Sequence, residues 1–140
     1  METIARLVDG LRFEATVSTG HKIMMDTSVE QGGADAGARP IEMLLAGLAG
    51  CTGMDVMAIL RKKRQNVSAF HVRVLGDRRQ DHPRVFTKLH IIYELTGDKI
   101  DRTAVEQAVA LSEEKYCSVA AMLRAAAPIT AEVVIREAQS

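Results

Sequence analysis

The chain has no tryptophan, two tyrosines and three phenylalanines, so it lacks the aromatic platforms on which a single-strand nucleic-acid binder stacks bases. It has no charge of prevailing sign either. Eighteen Lys and Arg balance eighteen Asp and Glu, and no overall field draws it to a phosphate backbone or an anionic membrane. Cysteine is scarce. Cys51 and Cys117 stand 66 positions apart, outside any C-x-x-C pair or zinc spacing, and His21, His71, His82 and His90 show no i, i+4 pairing, so no metal site is expected. The first residues, METIAR, lack a basic region leading into an apolar stretch. The expectation is a cytoplasmic protein whose thiols stay reduced unless they cycle.

What is present suits one globular domain over residues 1–140, with 47% hydrophobic and 26% charged positions. With aromatics so few, the seven methionines share the core filling. Alternating residues on either side of Asp9-Gly10 predict a hairpin between Thr3 and Val17, and Lys22 to Met25 a third strand. Glu30 to Ala38, EQGGADAGA, reads as a glycine-rich loop.

Pro40 suits the first position of a helix, and Glu42 places a carboxylate in the first turn, where the helix dipole favours it. That helix is predicted to run to about Arg64 and, being apolar or small on every side from Met43 to Met54, to be buried all round. About a dozen such residues before Asp55 fall short of the roughly twenty that span a bilayer. The cations from Arg61 to Arg64 complement the negative helix end. Gly47, Gly50 and Gly53 each cost about 1 kcal/mol against alanine. With Ala46 and Ala49 they form small-residue ridges on which another helix, such as one from a second subunit, packs closely.

Val67 to Leu75 and Val85 to Leu95 alternate about Gln80 to Pro83 and predict an antiparallel pair. His71 and His90 would then face each other, as solvated strand histidines or, less commonly, as a pH-sensitive pair. Asp101 is a predicted N-cap for a helix ending near Lys115, Ser118 to Ala127 a short helix stopped by Pro128, and Ile129 to Ile135 a last strand. The order makes an α+β domain.

Taken alone, Cys51 in its apolar glycine-rich helix is more often a small core residue than a nucleophile. Cys117 precedes a short helix whose free N–H groups stabilise a thiolate, or it simply caps that helix. On this reading Cys117 is the more acidic thiol.

The run from Ala38 to Val56, ARPIEMLLAGLAGCTGMDV, resembles the cysteine helix of the osmotically inducible protein C and organic hydroperoxide resistance (OsmC/Ohr) superfamily. Ser112 to Val119, SEEKYCSV, resembles its second cysteine motif, and with Arg84-Val85-Phe86 points to the YhfA-like subgroup. The resemblance implies an OsmC-like fold, an intertwined homodimer with active sites at the subunit interface, and a thiol peroxidase cycle without metal, flavin or other cofactor. In that cycle Cys51 attacks a hydroperoxide and becomes a sulfenic acid, Cys117 captures it as a disulfide, and an external thiol or dithiol such as a lipoyl group restores both. The family's assisting arginine and glutamate correspond to Arg39 and Glu42, with Arg12 a further positional candidate. Glu42 stands one place beyond the residue after the proline, about 100° round the helix. Leu44, Leu48, Met54 and Met57 are candidates for an apolar lining that accepts an organic hydroperoxide, although helical spacing also fits plain core. Two other readings stay open: a redox-linked binding or electrophile-sensing protein without efficient turnover, and a structural dimer with inert thiols.

Overall fold

The computed structural model describes residues 1–139 and divides into two compact units, Met1–Leu44 and a second beginning at Leu45. In the first unit, β1 (Ile4–Asp9), β2 (Arg12–Thr16) and β3 (Lys22–Met25) form an antiparallel sheet in that order. The β1–β2 turn is Gly10-Leu11, one residue later than predicted, because Asp9 still pairs with Arg12 and Gly10 takes the positive φ of 49°. The glycine-rich segment is organised by Asp26, whose buried carboxylate accepts the N–H groups of Thr27, Ala34 and Ala36 at 2.8, 3.1 and 3.1 Å. Those N–H groups, Thr27 first, hold its pKa below the usual value. The glycines answer to this packing: a Cβ on Gly33 would lie 2.3 Å from the Thr27 carbonyl oxygen.

Helix α1 (Pro40–Lys62) links the units. In the second, β4 (Asn66–Arg78) and β5 (Phe86–Asp98) are antiparallel, and β6 (Ile129–Glu137) pairs with β5 in parallel. A parallel neighbour needs a crossover, supplied here by α2 (Arg102–Leu111) and α3 (Ser118–Arg124). Asp101 caps α2 as predicted, its side chain accepting the Thr103 N–H at 3.0 Å. The helix stops at Leu111, short of the expected Lys115, because Ser112–Tyr116 widens into a π-helical turn. The core lies on one face of β5, where Leu89, Ile91, Tyr93 and Leu95 have no exposed surface, with Val105 and Ala108 of α2.

Three expectations fail here. Helix α1 is not buried all round: Leu48, Thr52, Val56 and Leu60, spaced at i, i+4, are fully buried, while Met54 keeps 75% of its surface and Leu44 43%. One chain covers a single stripe of it and leaves the other apolar side bare. At 23 residues it is also long and apolar enough by composition to cross a membrane, contrary to the count made above, which stopped at Asp55. Its buried stripe is nevertheless part of the core. Likewise His71 and His90 do not face each other. His71 pairs with Glu94 and Leu75 with His90, so the histidines sit four places apart in register, about 13 Å along the sheet. His90 instead meets Thr130 and Glu132 of β6 at 2.6 and 3.0 Å.

Candidate functional site

Cys51 and Asp55 are one helical turn apart on α1, and such i, i+4 side chains share a face. The π-helical turn brings Cys117 to them. Its closing hydrogen bond runs from the Cys117 N–H to the Ser112 carbonyl at 2.7 Å. The two Sγ atoms and an Asp55 carboxylate oxygen all lie within 4.8 Å of one another. Cys51 and Asp55 are half-buried, and Cys117 keeps 3% of its surface.

Cys117 is the N-cap of α3, its Sγ accepting the Ala120 N–H at 3.3 Å. The expected acidity does not follow. Burial pushes the thiol up to about 11, a hydrogen bond with Cys51 and the Asp55 charge act in the same direction, and the single N–H from Ala120 opposes them too weakly. None of these neighbours is a cation.

Behind the thiols lies a chain of hydroxyls. Ser112 Oγ donates to Asp55 Oδ2 at 2.9 Å, Thr52 Oγ1 meets Ser112 Oγ at 2.9 Å and Tyr93 OH at 2.7 Å, and Tyr93 OH reaches Glu113 Oε1 at 3.1 Å. Thr52, Ser112 and Tyr93 have no exposed surface. Burial raises the Glu113 pKa above the usual carboxylate value. Because the folded value is the higher one, the stability Glu113 contributes is present below the ordinary carboxylate pKa and is lost as pH rises through the raised value. Thermal melts between about pH 4 and pH 8 should therefore show Glu113→Gln gaining on the wild type as pH rises, by under about 1 kcal/mol because the group is only half-buried.

Arg39 gives its guanidinium to Asp35 at 2.7 Å, and Glu42 accepts the Arg39 backbone N–H at 2.8 Å, the half of a capping box that ties N3 back to the N-cap. Arg12 pairs with Asp9 at 3.0 Å. Met54 and Met57 line an open groove of about 620 Å³ with Gly50, Gly53, Arg61 and Phe70. Leu48 is sealed in the core, and Leu44 is exposed outside that groove. Sequence reasoning missed Asp55, Thr52, Ser112, Tyr93 and Glu113. The spacing of Asp55 from Cys51 and of Glu113 from Cys117 was visible, but hydroxyls 41 and 60 residues apart in sequence give no local signal.

Comparison with known proteins agrees with this architecture. A sequence model of the family described as OsmC-like protein matches residues 32–132. Protein YhfA of Escherichia coli strain K12 is 40% identical over 130 residues, covering 93% of this chain and 94% of that protein. The crystal structure of a hypothetical protein from Aquifex aeolicus VF5 superimposes with a TM-score of 0.86 at 33% identity, covering 99% of this chain and 97% of the other. The organic hydroperoxide resistance protein OhrB of Bacillus subtilis shares the fold, with a TM-score of 0.61 at 16% identity over 94% and 96% of the two chains. Over most of its length, and with both cysteines at one site, the chain belongs to the OsmC-like protein family, on the YhfA side of it.

Proposed function

We propose that the protein is a thiol-dependent peroxidase that reduces organic hydroperoxides through Cys51 and Cys117. The observation that carries this reading is the approach of two free thiols, from α1 and from the start of α3, to within 4.8 Å. Side-chain rotation and a small backbone shift close that gap to a disulfide. The Cys51 sulfur attacks the distal peroxide oxygen, the O–O bond breaks, and the alkoxide leaves as an alcohol with the thiol's proton. Cys51 is then a sulfenic acid. The Cys117 sulfur attacks it, the S–O bond breaks, water leaves, and an S–S bond forms. An external thiol or dithiol, a lipoyl group being one such carrier, reduces the disulfide by exchange, as the reducing cytoplasm allows. No metal or organic cofactor enters the cycle.

The groove lined by Gly50, Gly53, Met54 and Met57, residues next to Cys51 along α1, favours alkyl hydroperoxides, with Met54 and Met57 in contact with the alkyl chain; buried Leu48 and exposed Leu44, the other two residues expected there, are not part of that lining. The test is a rate comparison: the reduced protein should consume cumene hydroperoxide faster than hydrogen peroxide, and a preference for hydrogen peroxide would refute the assignment of the groove.

The working unit proposed is a homodimer. Its support is the bare apolar side of α1 and the exposed cross-strand pair of Leu7 and Phe13, 52% and 38% exposed, on the first sheet. Arg39 and Glu42 are proposed as the cation and carboxylate that assist Cys51. Arg39→Ala should slow cumene hydroperoxide oxidation about tenfold, equivalent to about 1.4 kcal/mol of barrier, in stopped-flow measurements. An unchanged rate would confine this arginine to its ion pair with Asp35. The alternative, a sensor that reacts slowly with electrophiles, draws on the absence of a cation among the main neighbours of Cys117. Slow oxidation by every hydroperoxide would favour it.

A further inference from the structure

The hydroxyl chain behind the thiols has a proton count that does not close with both carboxylates ionised. Four contacts join Asp55, Ser112, Thr52, Tyr93 and Glu113, and each needs one hydrogen between its oxygens. Three hydroxyls supply three. A fourth proton, on one end of the chain, satisfies every member: placed on Glu113 it turns round the bond that Tyr93 otherwise donates, and the donors then run through Tyr93, Thr52 and Ser112 and end on the Asp55 carboxylate. Buried hydroxyls are costly to leave unpaired, so the fold favours holding that proton. Glu113 is the end suited to carry it: it is removed from the thiols, its burial and the neighbouring Glu114 favour the protonated form, and the Tyr93 hydroxyl and Arg124 oppose them without reversing the direction. Asp55 is the end that faces chemistry, with Cys51 and Cys117 the titratable groups beside it.

We propose that Asp55 is the proton-transfer residue of the thiol pair, its carboxylate oriented by the Ser112, Thr52 and Tyr93 hydroxyls that connect it to Glu113. The proposal rests on the peroxidase reading and adds a residue to its second step. Cys117 is a thiol at neutral pH, so its attack on the Cys51 sulfenic acid requires its proton to leave. Asp55 takes that proton as the S–S bond forms and delivers it to the hydroxide departing from Cys51, which leaves as water. Atoms and charge balance, and Asp55 ends the step as it began. The carboxylate lies within 4.8 Å of the reacting sulfurs, whereas Ser112, Thr52, Tyr93 and Glu113 act through it as positioning residues.

The test resolves the two steps in Asp55→Asn and Asp55→Glu. The full-length protein is oxidised with cumene hydroperoxide, sulfenic acid is trapped with dimedone, and disulfide is followed by intact mass. Asparagine keeps an oxygen to accept the Ser112 hydroxyl but cannot take a proton, so a purely structural Asp55 predicts no kinetic effect. The expected result is sulfenic acid formation at the wild-type rate in Asp55→Asn, followed by disulfide closure about a hundredfold slower. Asp55→Glu should recover at least about tenfold of that loss. Wild-type closure in Asp55→Asn would overturn the role of Asp55 and leave the peroxidase reading standing. Absence of both trapped sulfenic acid and disulfide in the oxidised wild type would overturn both.

Discussion

Serine at Cys51 abolishes peroxide consumption, with a loss of at least about a thousandfold, because a hydroxyl is a far weaker nucleophile than a thiolate and Cys117, buried and with its thiol pushed up to about 11, cannot take its place. Serine at Cys117 behaves differently. One fast oxidation per chain still occurs, and the protein then stalls as the sulfenic acid or passes on to the sulfinic state, because the resolving sulfur is missing. Dimedone labelling and intact mass distinguish the two variants. Equal peroxide consumption by the wild type and Cys51→Ser would end the mechanism.

The second large effect concerns the bare side of α1. Of the three helix glycines near Cys51, Gly53 is explained within the chain, since a Cβ there would lie 3.3 Å from Val72 of β4, and Gly47 would meet Val119 at 4.0 Å. Gly50 has no such reason: a Cβ on it meets nothing within 4 Å. In an isolated chain a larger residue there is free of clashes and gains about 1 kcal/mol of helix propensity over glycine. In the proposed homodimer the same position is packed by a second α1. Gly50→Leu should then cost about 1–3 kcal/mol per copy, weakening the dimer by one or more orders of magnitude while each chain still folds. Sedimentation of the wild type and the variant, together with circular dichroism, measures this. A variant as dimeric as the wild type and more stable would show that α1 does not pair through Gly50.

Much of the fold was legible because its signals are local. Pro40 and Glu42 marked the start of α1, Lys22 to Met25 was read to the residue, and the β4–β5 hairpin followed from period-two alternation. The failures share a cause: they turn on what lies across space. Apolarity on every side of α1 was a correct reading of composition, but the fold covers only the Leu48, Thr52, Val56 and Leu60 stripe. The histidines were paired by distance from a turn whose centre is offset from Gln80-Asp81 by two residues, enough to move them four places apart. Cys117 was read as acidic from its place before a helix. Its burial, the thiol beside it and the Asp55 carboxylate outweigh one N–H donor, and none of the three is visible near position 117. The site itself was half legible. The family motifs named both cysteines, while Asp55 and the buried hydroxyls belong to α1, β5 and the π-helical turn and meet only after folding.

The most direct test of the thiol cycle is the intact mass of the fully reduced protein before and after one equivalent of cumene hydroperoxide, with the oxidation timed by stopped flow. The account predicts rapid loss of two hydrogens per chain, reversed by a dithiol, with the Cys51 and Cys117 peptides joined. An unchanged mass, or stable gain of oxygen without a disulfide, would contradict it.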